Sequence, residues 1–315
     1  GSSAVQALDV DGVNDLSTTQ VGALSSTQLN RLTTAQVAGL NTGNLKAIGA
    51  GALQGVSTTQ LNALSSTQVQ ALTSAQVQAL TSNQLNSIDT TQVVNLSSAQ
   101  VQVLSSNQLN ALDDAALQAI ETADLRAMTT TQIAGLNSVQ LNALTSVQLQ
   151  ALGSGQLMAL TGSQINALTS SSVTALGSSY IPTLSPSQVA LLSTVQLNEL
   201  TSTQIQAMNS SQVQALTSTQ INNMATSKVA NLSSAQVQML TVGQLNAMGS
   251  TALQALETGD IQALSSTQLP LMTAAQLNKL SSTQVQALTS VQMRNLTSAQ
   301  LNALDTSTLA AITST

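Results

Sequence analysis

The sequence predicts an all-α solenoid of short helices of one or two turns, one helix to every eight residues. Three observations predict it: an unbroken octapeptide period, a helix-capping pattern inside each octad, and a slower asparagine period laid over both. The slower period sets the expected superhelix at about 3.4 octads, or about 27 residues, per turn.

The octad is plainest at Ser65–Leu72, SSTQVQAL, which returns unchanged at Ser281–Leu288. Counted from Gly1, residues 1–315 form one continuous array of thirty-nine octads without insertion or loss, followed by Thr313-Ser314-Thr315. No linker interrupts it, and because it stops inside an octad it reads as an excerpt of a longer array. Positions five and eight are Val, Leu, Ile or Met in every octad, position four is usually Gln, and position seven is most often Ala. Position one is usually Ser, Thr, Asp, Asn or Gly.

The helix within the octad follows from this pattern. Ser or Thr three residues before Gln resembles a capping box, in which the hydroxyl accepts the fourth backbone amide and the Gln side chain reaches back to the first. Asp9, Asp89, Asp113, Glu121, Glu257 and Asp305 stand at position one, where a carboxylate suits the positive end of a helix. Positions five and eight share one helical face, and Ala at seven adds helix propensity. A β-solenoid is the alternative, since TQVQAL also alternates like a short strand. Ala, Gln and Leu favour helix, and strand turns would ask for more than the sixteen glycines present. Pro182 and Pro270 argue the other way, because position six of an α-helix should already donate its amide. A helical octad absorbs them only by starting its turn later.

Asparagine at position six carries the second period. It occurs at Asn30, Asn62, Asn86, Asn110, Asn142, Asn166, Asn198, Asn222, Asn246, Asn278 and Asn302, with gaps of either three or four octads. In those octads position five is Leu or Ile and never Val, with Asn14 the one exception at this position. A mixture of three-octad and four-octad gaps is what a non-integral superhelix produces. Each octad then turns the path by about 106°, and the Asn residues line one edge, bonding backbone between coils. The stretch 113–128 (DDAALQAIETADLRAM) echoes 249–264 (GSTALQALETGDIQAL) seventeen octads on, which is five such turns.

Composition narrows the function classes. Hydrophobic residues make up 42%, yet there is no Phe or Trp and a single Tyr, which suits a narrow interior of repeating cross-section. Only 6% of residues are charged, with six Lys and Arg in all, so there is no basic footprint for nucleic acid. No apolar run approaches the length needed to insert across a membrane. There is no Cys and no His, so neither a disulfide framework, a catalytic triad nor a transition-metal site can be assembled. No cofactor and no enzymatic activity are expected.

Few residues hint at chemistry. Asp9, Asp11 and Asp15, around Gly12, resemble a clipped calcium loop without its bidentate Glu, and capping acids of a degenerate octad are the expected reading. Asp113-Asp114 with Glu121 and Asp124 pair carboxylates, but the echo keeps only Glu257 and Asp260. Tyr180 to Pro186 is the least regular stretch and reads as tolerated drift. Asn95, Asn209, Asn231 and Asn295 begin sequons of the kind a Ser/Thr-rich chain contains by chance.

Runs such as 72–80, LTSAQVQAL, resemble octapeptide tracts of very long bacterial surface or secreted proteins of adhesin-like or haem-utilisation-like type. The resemblance covers essentially the whole chain and implies an extracellular or cell-surface structural role. The expected function is a stiff spacer, or a segment that forms a filament or sheath with other copies of itself. A binding face for ice, glycan or a partner chain is the alternative.

Overall fold

Each octad folds in the same way, and its first four residues explain how. In the computed structural model, which describes residue 5, residues 7–178 and residues 180–313, Ser65 is extended, with φ −73° and ψ 161°. Its hydroxyl accepts from the Gln68 amide at 3.3 Å, and Gln68 Oε1 accepts from the Ser65 amide at 2.7 Å. This reciprocal cap satisfies donors that a helix start leaves open, and the helix runs Ser66–Ala71. It ends where Leu72 becomes extended, its amide closing a last tight turn on the Val69 carbonyl at 3.2 Å. Thr73, extended again, caps the next helix, Ser74–Ala79. Two extended residues, at positions eight and one, thus make the bend, except at Leu176-Gly177, where Leu176 stays helical with ψ −15°. Among the described residues only Gly177, in that bend, has a positive φ, of 70°, so the other bends need no glycine.

Thirty-six short α-helices and two 3₁₀ turns form in this way among the described residues, and no strand does. The fold is the all-α solenoid, and the β-solenoid alternative is set aside. The prolines that argued for it are absorbed locally. An ordinary octad spends its position-six amide on the position-two carbonyl, as Asn30 does on Ser26 at 2.9 Å. Pro182 and Pro270 cannot, and their octads turn later, as the 3₁₀ turns Ile181–Thr183 and Leu269–Leu271. Pro186 sits at the first position of the helix Pro186–Leu191, where its missing amide costs nothing.

The chain divides into two units, Gly1–Leu160 and Thr161–Thr315. Inside the first, helix Ser98–Gln102 packs on Thr122–Ala127, and Ala50–Gln54 on Ser74–Ala79, each pair three octads apart. Inside the second, Ser234–Met239 packs on Thr258–Ala263, and Ser282–Gln286 on Thr306–Thr313. Positions five and eight turn inward in both units: Val77 and Leu80 are 0% and 4% exposed, Val213 and Leu216 0% and 2%. Three of the glycines at position seven stand close against an earlier coil. A Cβ added at Gly135 would collide with Ser106 Oγ, a position-two side chain nearly four octads earlier. Gly39 and Gly55 meet Val10 and Ser26 in the same manner.

Candidate functional site

The most developed polar chemistry of the chain is a ladder of buried side-chain amides. The position-four Gln bonds in two directions. Its Oε1 caps its own helix, while its Nε2 reaches the coil before and donates to the carbonyls of positions five and eight four octads earlier. Gln68 Nε2 donates to Val37 O and Leu40 O, both at 2.8 Å, and Gln212 Nε2 to Ile181 O and Leu184 O at 2.6 and 2.7 Å. Position-eight carbonyls lie at a bend with no helical partner, so burial would leave them unpaired without this donor. The same clamp recurs at Gln76, Gln84, Gln100 and Gln132 in the first unit and at Gln220, Gln244, Gln276 and Gln284 in the second. Lys228, at position four in place of Gln, turns its ammonium to the Leu200 carbonyl and keeps the donor half alone.

The Asn residues at position six bind in the opposite direction, to the coil that follows. Asn30 Nδ2 donates to Gly55 O at 2.8 Å, and its Oδ1 accepts from the Ser57 amide at 2.7 Å. Asn62, Asn110, Asn198, Asn222, Asn246 and Asn278 make both bonds at the same two spacings. Asn86 Oδ1 accepts from Asp113 N. Asn14 behaves as a full member, bonding Gly39 O and the Asn41 amide, although its octad departs from the others in sequence. Partners for Asn302 at these spacings would lie beyond Thr315. The bonds of both ladders span between three and four octads, and so bracket the expected superhelical turn. The row itself repeats every seventeen octads, as in Asn30, Asn166 and Asn302 or Asn86 and Asn222, a spacing equal to five of the expected turns.

The two ladders compete for one hydrogen. The position-one amide taken by an Asn is the amide that the Gln of that octad would otherwise cap. Thirty residues after an Asn, position four is accordingly Asn44, Ala116, Ser172, Lys228, Ala252 or Thr308. Where Gln persists, at Gln60, Gln92 and Gln140, its Oε1 is buried without a hydrogen-bond partner. At Gln276 the displaced Oε1 accepts from Lys279 Nζ at 2.9 Å instead. After Asn166 the competition goes the other way, and Gln196 keeps its cap on the Ser193 amide at 2.9 Å.

The acidic residues are dispersed. Among the described residues no group of three or more His, Cys, Asp or Glu is gathered so as to hold a metal ion. Asp9 Oδ1 accepts from the Gly12 amide at 2.8 Å, and Asp113 caps Ala116 at the same distance. Asp89 and Glu121 make no side-chain cap, contrary to expectation. Glu carries an extra methylene and is a poor N-cap, and the Asp89 amide is held by Asn62. Asp124 and Asp260, seventeen octads apart in sequence, are buried and accept from the Ser98 and Ser234 hydroxyls at 2.5 and 2.8 Å. The sequon residue Asn209 is spent on the cap of Gln212. Tyr180 fills a position-four slot, 1% exposed, its hydroxyl unpartnered and pushed well above its ordinary pKa by burial.

Cavities are small. The larger internal voids, about 20 Å³ each, are walled by aliphatic side chains such as Leu72, Leu80, Leu104 and Leu112. A shallow open groove of about 310 Å³ lies among Asp114, Ser138, Val139, Asn142 and Ala143. Among the described residues no helix is long and apolar enough to cross a membrane.

No curated protein matches the chain. A family model, described as the ALTTAQ repeat, matches residues 5–42, 37–74, 45–82, 117–154, 189–226 and 253–290, together more than half of the sequence. Every match begins at position five of an octad, the first buried aliphatic of its helix. The letters of the family's description stand almost unchanged at 71–76, ALTSAQ, which joins the end of one helix to the cap of the next. The chain belongs to the ALTTAQ repeat family.

Proposed function

We propose that this chain is a structural element of a large bacterial surface or secreted protein, a stiff extracellular spacer or a segment from which filaments or sheaths are built. What supports this most is where the buried polar groups go. Gln and Asn amides are spent on tying backbone of one coil to backbone of the next, as Gln68 and Asn30 do. A chain organised for catalysis or small-molecule binding would aim some of them into a cleft. The uncharged Ser, Thr, Gln and Asn surface suits an exterior setting where little charge opposes neighbours.

The test is an antibody raised against residues 1–315 and applied to intact and to lysed cells of the organism that makes the chain. Labelling of intact cells, or of the medium, is the expected result. Labelling that appears only after lysis would overturn the extracellular reading.

A further inference from the structure

We propose that the backbone amides of Ser57, Asp89 and Asn137 are two-state switches, each passing between an Asn of the coil before and the Gln of its own octad, and that adjacent coils release one another there. The structure holds both settings. In the first, Asn30, Asn62 and Asn110 take the amide on Oδ1, at 2.7, 3.3 and 2.8 Å. The Oε1 atoms of Gln60, Gln92 and Gln140 are then buried without a partner. In the second, Gln196 holds the Ser193 amide at 2.9 Å, and Asn166, thirty residues before Gln196, is exposed. The bond to Asp89 is the longest of its kind in the row, and so the closest to release.

Each setting has its own cost. With the amide on Asn, the coils gain two bonds, because Asn Nδ2 also holds a position-seven carbonyl, as on Gly55, Ser87 and Gly135. The buried Gln oxygen left unpaired costs about as much as one or two such bonds contribute. With the amide on Gln no buried oxygen is orphaned, and the released Asn, exposed at Asn30 and half-exposed at Asn62, turns to water. Gains and losses nearly cancel, so both settings are populated. The Gln never leaves its place. Gln60, Gln92 and Gln140 keep Nε2 on the carbonyls of Leu32, Leu64 and Leu112, and rotation about that anchored end returns the oxygen to its cap. Other octads are fixed. The amides of Asp113 and Gly249 stay on Asn86 and Asn222, because position four is Ala116 or Ala252 and offers no rival. The Ser65 amide stays on Gln68, because Ala38 stands where an Asn would. The chain thus sets releasable steps between fixed ones, and coil contacts yield at chosen octads without leaving a buried group unpaired.

Relaxation dispersion of the backbone and side-chain amide nitrogens of this chain tests the proposal, since it reads exchange on the microsecond-to-millisecond scale. The Ser57 amide and the Asn30 Nδ2 group should exchange at one common rate, because both bonds break together, and the Ser65 amide should not exchange. Gln60→Ala, which copies Ala116 and Ala252, should remove the exchange and fix the Ser57 amide on Asn30. Asn30→Ala, which copies Ala38, should also remove it and pass the amide to Gln60. Exchange at Asp89 should persist in both variants, which shows that both fold. The wild-type Ser57 resonance should lie between those of the two variants, or split into a pair that matches them. A flat profile at Ser57, exchange that survives Gln60→Ala, or a single wild-type resonance equal to that of Gln60→Ala would each overturn the proposal. None of these results bears on where the chain resides, so the surface reading is judged separately.

Discussion

At the scale of single residues, the octad depends on groups that act in two directions. Gln at position four was legible as a capping residue, since Ser65 and Gln68 stand at the right spacing. Its second half was not read, although the signal was present. Glu completes a capping box as well as Gln does, yet only Asp124 and Asp260 place a carboxylate at position four. Only an amide can accept inside its own octad and donate to the previous coil. The competition between Asn30 and Gln60 for the Ser57 amide was equally hidden, because it links residues thirty apart that touch only once the coil closes. Acidic caps were over-read at Asp89 and Glu121, where chain length and a rival acceptor decide the matter. Asp305 is an acidic cap that does form. The Thr308 amide and the Ser307 hydroxyl hold its carboxyl below the ordinary carboxylate range. A depressed pKa of this kind contributes stability at pH above the unfolded value and loses it as pH falls through the folded one. Helix Thr306–Thr313 should therefore fray in acid, seen as a pH-dependent shift of the Thr308 amide resonance. Asp305→Asn, which caps without titrating, should abolish that dependence; an unchanged titration in the variant would assign it elsewhere.

At the scale of the element, a helix of about six residues holds because its two ends are both satisfied. The cap closes one end and the clamp from four octads later closes the other. Boundaries were legible to within a residue from Ser65, Gln68 and Leu72, and the two prolines at position six fell where a later turn accommodates them. What periodicity could not show was which surfaces meet. The contact of position seven with position two of an earlier octad follows from the superhelical turn and not from any one octad. Gly135→Ala should push Ser106 aside and cost about 1–2 kcal/mol in urea unfolding. Adding Ser106→Gly should return most of that loss. If the double variant is no better than Gly135→Ala alone, position two is not what limits the size of position seven.

At the scale of the whole molecule, one octad buries too little to offset its own ordering, and stability comes from neighbours along the chain. The Asn row made the pitch legible in the sequence, because a mixture of three-octad and four-octad gaps cannot arise from a whole number of octads per turn. The hydrogen bonds that enforce the pitch run between coils, and it is the Gln ladder that supplies most of them. The measurement that tests this most directly is the urea unfolding of Gln212→Glu at neutral pH and in mild acid. The variant keeps the cap on Asn209 but faces the Ile181 and Leu184 carbonyls with an oxygen. Charged and buried there, the introduced carboxyl should cost about 3 kcal/mol or more at neutral pH. Its folded pKa is raised, so the deficit should shrink as pH falls and the protonated group donates to a carbonyl. A variant as stable as the wild type at both pH values would show that the ladder does not hold the coils together.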